Sequence, residues 1–275
     1  MYEASVWICS AVGVLAFVLS LLIRTPAHRM TEAEKKEMRT LKFSTFFQLE
    51  ALPISFIAML GGVCYSTVLA YIGAYSQSLS LFWAGSVFFL GFAFTSIISR
   101  PVTGRLLDEF GGSVVVYPAL IFLAAAMVLI GAARSNGMLL SGALVLGLGF
   151  ATITSACHAL AVFVSPQKYV GRATATYFVL LDVGVGIGPY TLGLLVPYFG
   201  FSAVYFAAAS VAAVGILIYW AVIGRTGIFS TLVMRKVRSM RLNQIEIDPS
   251  KVSSAYRRGE EIEFDDPQPN QKKDA

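Results

Sequence analysis

Residues 138–164 read MLLSGALVLGLGFATITSACHALAVFV. These 27 residues include no Asp, Glu, Lys or Arg, and a helix needs roughly 20 apolar residues to cross the hydrocarbon of a bilayer. A run this long predicts a helix rather than a barrel strand, which would alternate over about ten positions. Six more stretches have the same character, near Ser5–Ile23, Ala51–Ala74, Leu81–Ser99, Val114–Ala133, Ala173–Tyr198 and Ser202–Ile223. None of the seven carries a Lys or Arg, and breaker residues fall at the joints: Ser-Gln-Ser at 76–78, Ser-Asn-Gly at 135–137, Ser-Pro-Gln at 165–167 and Tyr-Phe-Gly at 198–200. A helix satisfies its own backbone in lipid, so the expected fold is an all-α integral membrane protein with seven transmembrane helices.

Composition leads to the same place. The chain is 56% hydrophobic and 13% charged, where a soluble domain carries about 25% charged residues. The net charge of +5 is explained by where the charges sit. Threading the spans alternately places 20 of the 21 Lys and Arg residues on one side and only Arg134 on the other. Basic loops stay in the cytoplasm, so the sequence predicts a multi-pass protein of the cell membrane with its N-terminus outside and its tail inside. Nucleic acid is not needed to account for the basic residues.

The first span lacks the basic leader and small-residue cleavage site of a signal peptide and reads as a true span. Cys9, Cys64 and Cys157 all fall in spans without metal-ligand spacing, as buried small hydrophobes would. No metal site and no cofactor signature is visible. There is no Walker A sequence, and Gly147 and Gly149, or Gly184, Gly186 and Gly188, follow no strand and make no dinucleotide fingerprint. Four segments result: a helix over 1–24, a polar connector over 25–50, a six-helix bundle over 51–224 and a cytoplasmic tail over 225–275. In the tail, Phe229, Leu232, Val233, Val237 and Met240 repeat at helical spacing opposite Arg235, Lys236, Arg238 and Arg241. That pattern suits either a helix on an anionic leaflet or a solvated stop signal. From Asp248 onward the composition predicts disorder.

The third span runs into Ile-Ser-Arg-Pro-Val-Thr-Gly-Arg-Leu-Leu-Asp-Glu-Phe-Gly-Gly, residues 98–112. Physically this reads as a tight, charge-latched turn. Gly104 is expected to permit close helix contact and Gly111 to reverse the chain. Asp108 can pair with Arg100 or Arg105 or cap a neighbouring helix. Gly104-x-Leu106-x-Asp108-x-x-Gly111 resembles the signature loop of the major facilitator superfamily, G-x-L-x-D-x-x-G-R-K/R. Ser99-Arg100-Pro101 before it is similar to the form found in bacterial efflux permeases. Gly112 and Ser113 replace the terminal basic pair, as in the weaker second copy between the eighth and ninth helices.

A second match lies in the sixth span. Gly184-x-x-x-Gly188-Pro189-x-x-x-Gly193 resembles the family's antiporter Gly-Pro motif, here at the repeat-equivalent eleventh helix. Bare glycines let a neighbouring helix approach and Pro189 permits a bend, so the same residues suit a rocking element or a static packing seam. The resemblance implies that the seven spans are helices six to twelve of a twelve-helix transporter, with residues 25–50 as its central loop. It implies alternating-access transport of a small molecule, most like proton-coupled efflux. The lipid bilayer, protons and a missing N-terminal half or partner subunit would be the partners.

An ionisable residue in hydrocarbon costs about 2.5–3.5 kcal/mol even on the lenient insertion scale. Asp182 is the one acid well inside a span. It reads either as a proton-coupling site on a packed face with Phe178, Gly186 and Pro189, or as a helix–helix hydrogen bond or a salt bridge to a residue in the missing half. His158, one turn after Thr154 and beside Ser155, reads either as a relay or substrate ligand or as a satisfied packing histidine. Tyr65 and Tyr71, with Thr154 and Ser155, are candidate lining residues of an adaptable amphipathic pocket, while Tyr75 can serve as an anchor at the membrane interface instead. Glu50 reads as solvated. The topology also matches a seven-helix receptor, but the sequence shows no Asp-Arg-Tyr after the third span and no Asn-Pro-x-x-Tyr near the last. A half-size permease pairing with itself is the remaining alternative.

Overall fold

The computed structural model describes residues 2–22 and 47–224. The connector through Phe46 and the tail from Arg225, with its amphipathic pattern, lie outside the described residues. The chain divides into two compact units, Met1–Thr45 and Phe46–Ala275. The first contributes helix α1, Tyr2–Leu22, whose shorter apolar stretch is Cys9–Leu21. Cys9 is exposed there, contrary to its expected burial: among the described residues the first unit has one helix, with no second one to cover it.

Among the described residues, the second unit holds six helices long and apolar enough to cross a membrane. They are α2 Leu52–Ser78, α3 Phe82–Phe110, α4 Gly112–Gly131, α5 Asn136–Val164, α6 Val170–Gly193 and α7 Val196–Tyr219. Among the described residues there is no strand. Local chemistry marks the starts. Pro53 and Pro197 occupy the first turns of α2 and α7, where a missing N–H costs nothing. The Ser135 hydroxyl caps α5 by accepting the Met138 N–H at 3.3 Å, satisfying one of the otherwise unpaired donors of the first turn.

The six helices fall into two three-helix stretches, α2–α4 and α5–α7. The first helix of each packs closely on the second helix of the other, α2 on α6 and α5 on α3, and α5 packs as closely on α4. The third helices, α4 and α7, pack on each other. The two stretches also share a reversal. Phe110-Gly111-Gly112-Ser113 precedes the body of α4, and Phe199-Gly200-Phe201-Ser202 that of α7. Gly111 has φ 83°, ψ 176°, and Gly200 has φ 75°, ψ 178°, a region essentially closed to side-chain-bearing residues. The serine two positions on meets a tyrosine hydroxyl from another helix in both cases: Ser113 Oγ is 3.3 Å from Tyr219 and Ser202 Oγ is 3.2 Å from Tyr75. Tyr75 also donates toward the carbonyls of Ile130 and Gly131, each at 3.0 Å. It ties α2 to α4 and α7 inside the bundle, which makes it an internal anchor.

One expectation is corrected by the end of α3. Residues 100–110 are helical, and only Gly111 turns the chain. The reason is local: Arg105, Leu106, Leu107 and Glu109 are good helix formers, so the helix runs on past Pro101 until the glycine. Replacing Gly111 with alanine is expected to cost about 1–3 kcal/mol, read as a lowered thermal midpoint in detergent. The glycine has open space around it, so a cost under a few tenths of a kcal/mol would show that its conformation carries no strain for alanine.

Candidate functional site

The closest helix pair, α2 and α6, is built on glycine. A Cβ at Gly184 would strike the Met59 carbonyl, and one at Gly188 would strike Ser66 Oγ and lie 2.7 Å from the Val63 carbonyl. From the other side, a Cβ at Gly62 would lie 2.8 Å from the Leu181 carbonyl. Near the end of the motif the Tyr71 hydroxyl sits against the bare Cα of Gly193 and donates to the Pro189 carbonyl at 2.6 Å. Gly184, Gly188, Pro189 and Gly193 therefore form the packing seam that was one of the two readings of the Gly-Pro stretch. A matching seam joins α5 to α3, where a Cβ at Gly147 would meet Thr95 and the Phe92 carbonyl.

Because α6 turns that glycine face to α2, its other face is left open. Phe178, Asp182 and Gly186 are all exposed. The packed surface expected around Asp182 is thus not formed by the described residues, among which Asp182 also makes no ion pair. Helix α3 is similarly open. Within their most apolar stretches α3 and α6 are only 17% and 22% buried, against 33–56% for the other four.

His158 reaches from α5 into the space beside α6, its ring 5.0 Å from that of Tyr177 and 5.3 Å from that of Phe178. Its Nε2 is buried and has no hydrogen-bond partner among the described residues. Asp182 lies one helical turn beyond Phe178, and no hydrogen bond joins it to His158 among the described residues. Thr154 is committed locally: its hydroxyl donates to the carbonyls of Phe150 and Ala151, and its own carbonyl accepts from Tyr177 at 2.9 Å. Ser155 is half-buried on the same helix.

Tyr65 is half-buried and stacks on Phe150 with ring centroids 4.0 Å apart and on Phe92 at 5.4 Å. Rings from α2, α5 and α3 thereby form one aromatic wall. Tyr71, spent on Pro189, is an anchor more than a free lining group. On α3, Arg100, Arg105, Asp108 and Glu109 are all exposed, without an ion pair among the described residues. Gly104 faces open space with nothing within 4 Å of an added Cβ, so the close helix contact expected of it is absent from this chain. Glu50 is exposed and accepts from Gln48 Nε2 at 3.2 Å.

Sequence reading missed Tyr177, Phe92, Phe150 and Gly62. The signal available for Gly62 was its Gly61-Gly62 pair in mid-span. The aromatics carried none, since 20 Phe and 12 Tyr are spread through the apolar runs.

Comparison with known proteins adds a family. The model described as Major Facilitator Superfamily matches residues 78–232. The chain is similar to the uncharacterized MFS-type transporter YhhS of Escherichia coli, 28% identical over 179 residues, which is 61% of this chain and 44% of that protein. The same figures hold for the proteins of that name in Shigella flexneri and Salmonella typhi. The chain thus spans under half the length of the curated relatives it matches.

Proposed function

Because the chain belongs to the major facilitator superfamily, a family of membrane transporters rather than enzymes, we propose that it is the C-terminal half of a small-molecule exporter driven by protons. On this reading α1 is the sixth helix, residues 25–50 the central loop and α2–α7 the seventh to twelfth helices. The protein sits in the cell membrane with its tail in the cytoplasm. Family membership favours transport over a seven-helix sensor.

The observation that carries the reading is the open face of α6 with Asp182 on it. An acid among apolar, exposed neighbours on a span is costly unless something else completes its surroundings. In an alternating-access transporter the substrate and ion sites lie near midplane between two rocking bundles, so a second six-helix bundle would complete them. Asp182 is then the proton carrier and His158, with its unmatched Nε2, a hydrogen-bonding partner for proton or substrate. The Tyr65 wall suits a flat, amphipathic substrate. The tight α2–α6 and α5–α3 seams support motion of the bundle as a unit, with the Arg100–Gly111 segment as its latch and exchange of proton for substrate as the mode.

A single bundle supplies one wall of such a site. Liposomes containing only this chain are expected to show no substrate-dependent proton movement, and adding a companion with the first five helices is expected to restore it. Proton movement by this chain as a monomer would overturn the reading. The open face also fits a second copy, as in a half-size permease. A dimer in native mass measurement that transports without a companion would favour that alternative.

A further inference from the structure

Helices α3 and α4 both pack closely on α5 but hardly on each other. Where they diverge from the Gly111 reversal they leave an apolar groove of about 210 Å³, walled by Ile98, Val102 and Leu106 from α3 and Val114, Pro118 and Phe122 from α4. That is space for about seven water-sized units, enough for two or so apolar side chains and too little for a helix backbone. The hydroxyls of Ser99 and Thr103, at its edge, are already donated to the carbonyls of Ser96 and Ser99, so the groove asks for carbon.

The chain leaves the bundle at this same end. The Tyr219 ring of α7 meets that of Tyr117 on α4 edge-on at 4.8 Å, and its hydroxyl reaches Ser113, next to Val114 of the groove wall. Everything after Gly224 lies outside the described residues, and its sequence places Phe229, Leu232 and Val233 within nine positions. An extended chain covers at most about 3.3–3.6 Å per residue, so Leu232 can reach roughly 27 Å from Gly224. Rounding α4, about 10–12 Å in diameter, needs less. Asp108 and Glu109 are exposed on the last turn of α3, and the sequence that follows Val233 is basic, with Arg235, Lys236 and Arg238; exposed Arg100 and Arg105 earlier on the same segment limit that attraction to the helix end. We propose that Phe229, Leu232 and Val233 seat in the α3–α4 groove and hold the C-terminal segment against the Arg100–Gly111 end of the bundle.

The test is a cysteine pair in the full chain, in membranes, with Cys9→Ser. A short thiol crosslinker should join Val102→Cys to Leu232→Cys. It should join Leu49→Cys, also exposed at this end, to Leu232→Cys far less. Adding Phe229→Asp should lower the first yield about fivefold or more, as expected when a charge must enter an apolar seat. Equal yields for the two pairs, insensitivity to Phe229→Asp, or no crosslink because lipid or another bundle fills the groove would each overturn the proposal. None of these readouts depends on transport.

Discussion

Gly188→Leu is expected to lower the thermal midpoint of the bundle by about 6–12 °C, while Gly186→Leu two residues away leaves it nearly unchanged. The contrast is one of surroundings, since both substitutions exchange glycine for leucine on the same helix with the same gain in helix propensity. At Gly188 the first added carbon falls on Ser66 Oγ, 2.7 Å from the Val63 carbonyl and 3.0 Å from its Cα. Those last two atoms are helix backbone and cannot swing aside as a side chain can. Overpacking of this kind costs about 3 kcal/mol or more, and for a chain of this size each kcal/mol is worth about 2–4 °C. At Gly186 nothing lies within 4 Å of the added carbon. Thermal unfolding in detergent, followed by intrinsic fluorescence, compares the two directly. Equal midpoints would mean that the α2–α6 seam is not the tight element it is taken to be.

Asp182→Asn, placed in a complete transporter, is expected to reduce proton-coupled transport to background without reducing the amount of folded protein. The substitution keeps the shape and removes the charge. In hydrocarbon that charge costs about 2.5–3.5 kcal/mol, and Asp182 makes no ion pair among the described residues that the change would break. Stability should therefore hold or rise while function falls, a split that a packing role cannot produce. Transport assayed with an imposed proton gradient, alongside the thermal midpoint, reads both halves. Wild-type coupling in the Asn variant would remove Asp182 from the mechanism.

The fold was legible in the sequence to the level of helix and membrane because the signal is one-dimensional. A bilayer demands about 20 apolar residues and permits breakers only at the joints, and the runs around Met138–Val164 meet that demand without reference to any neighbour. Helix ends were less legible. The Arg100–Phe110 stretch looked like a turn because it is charged, yet charge says nothing against a helix once the span has left the hydrocarbon. The reversal was assignable only to the one residue that needs a positive φ, Gly111. Its counterpart at Gly200 shares the Phe-Gly-x-Ser pattern, which was there to be read but short enough to pass as chance.

The sequence by itself determined the solvent of this protein, its helical class and the identity of the few polar groups that had to be explained. Only the tertiary structure decided what those groups face. Helical spacing places Asp182 with Phe178 and Gly186 but cannot say whether another helix covers that stripe. The answer came from Gly184 and Gly188, which draw α6 onto α2 by the opposite side and leave Asp182 open. In the same way nothing in the order of residues sets His158 against Tyr177 and Phe178 with its Nε2 unmatched. Burial, and with it the difference between a satisfied group and one awaiting a partner, depends on which faces meet. That is settled by close packing between segments far apart in the chain.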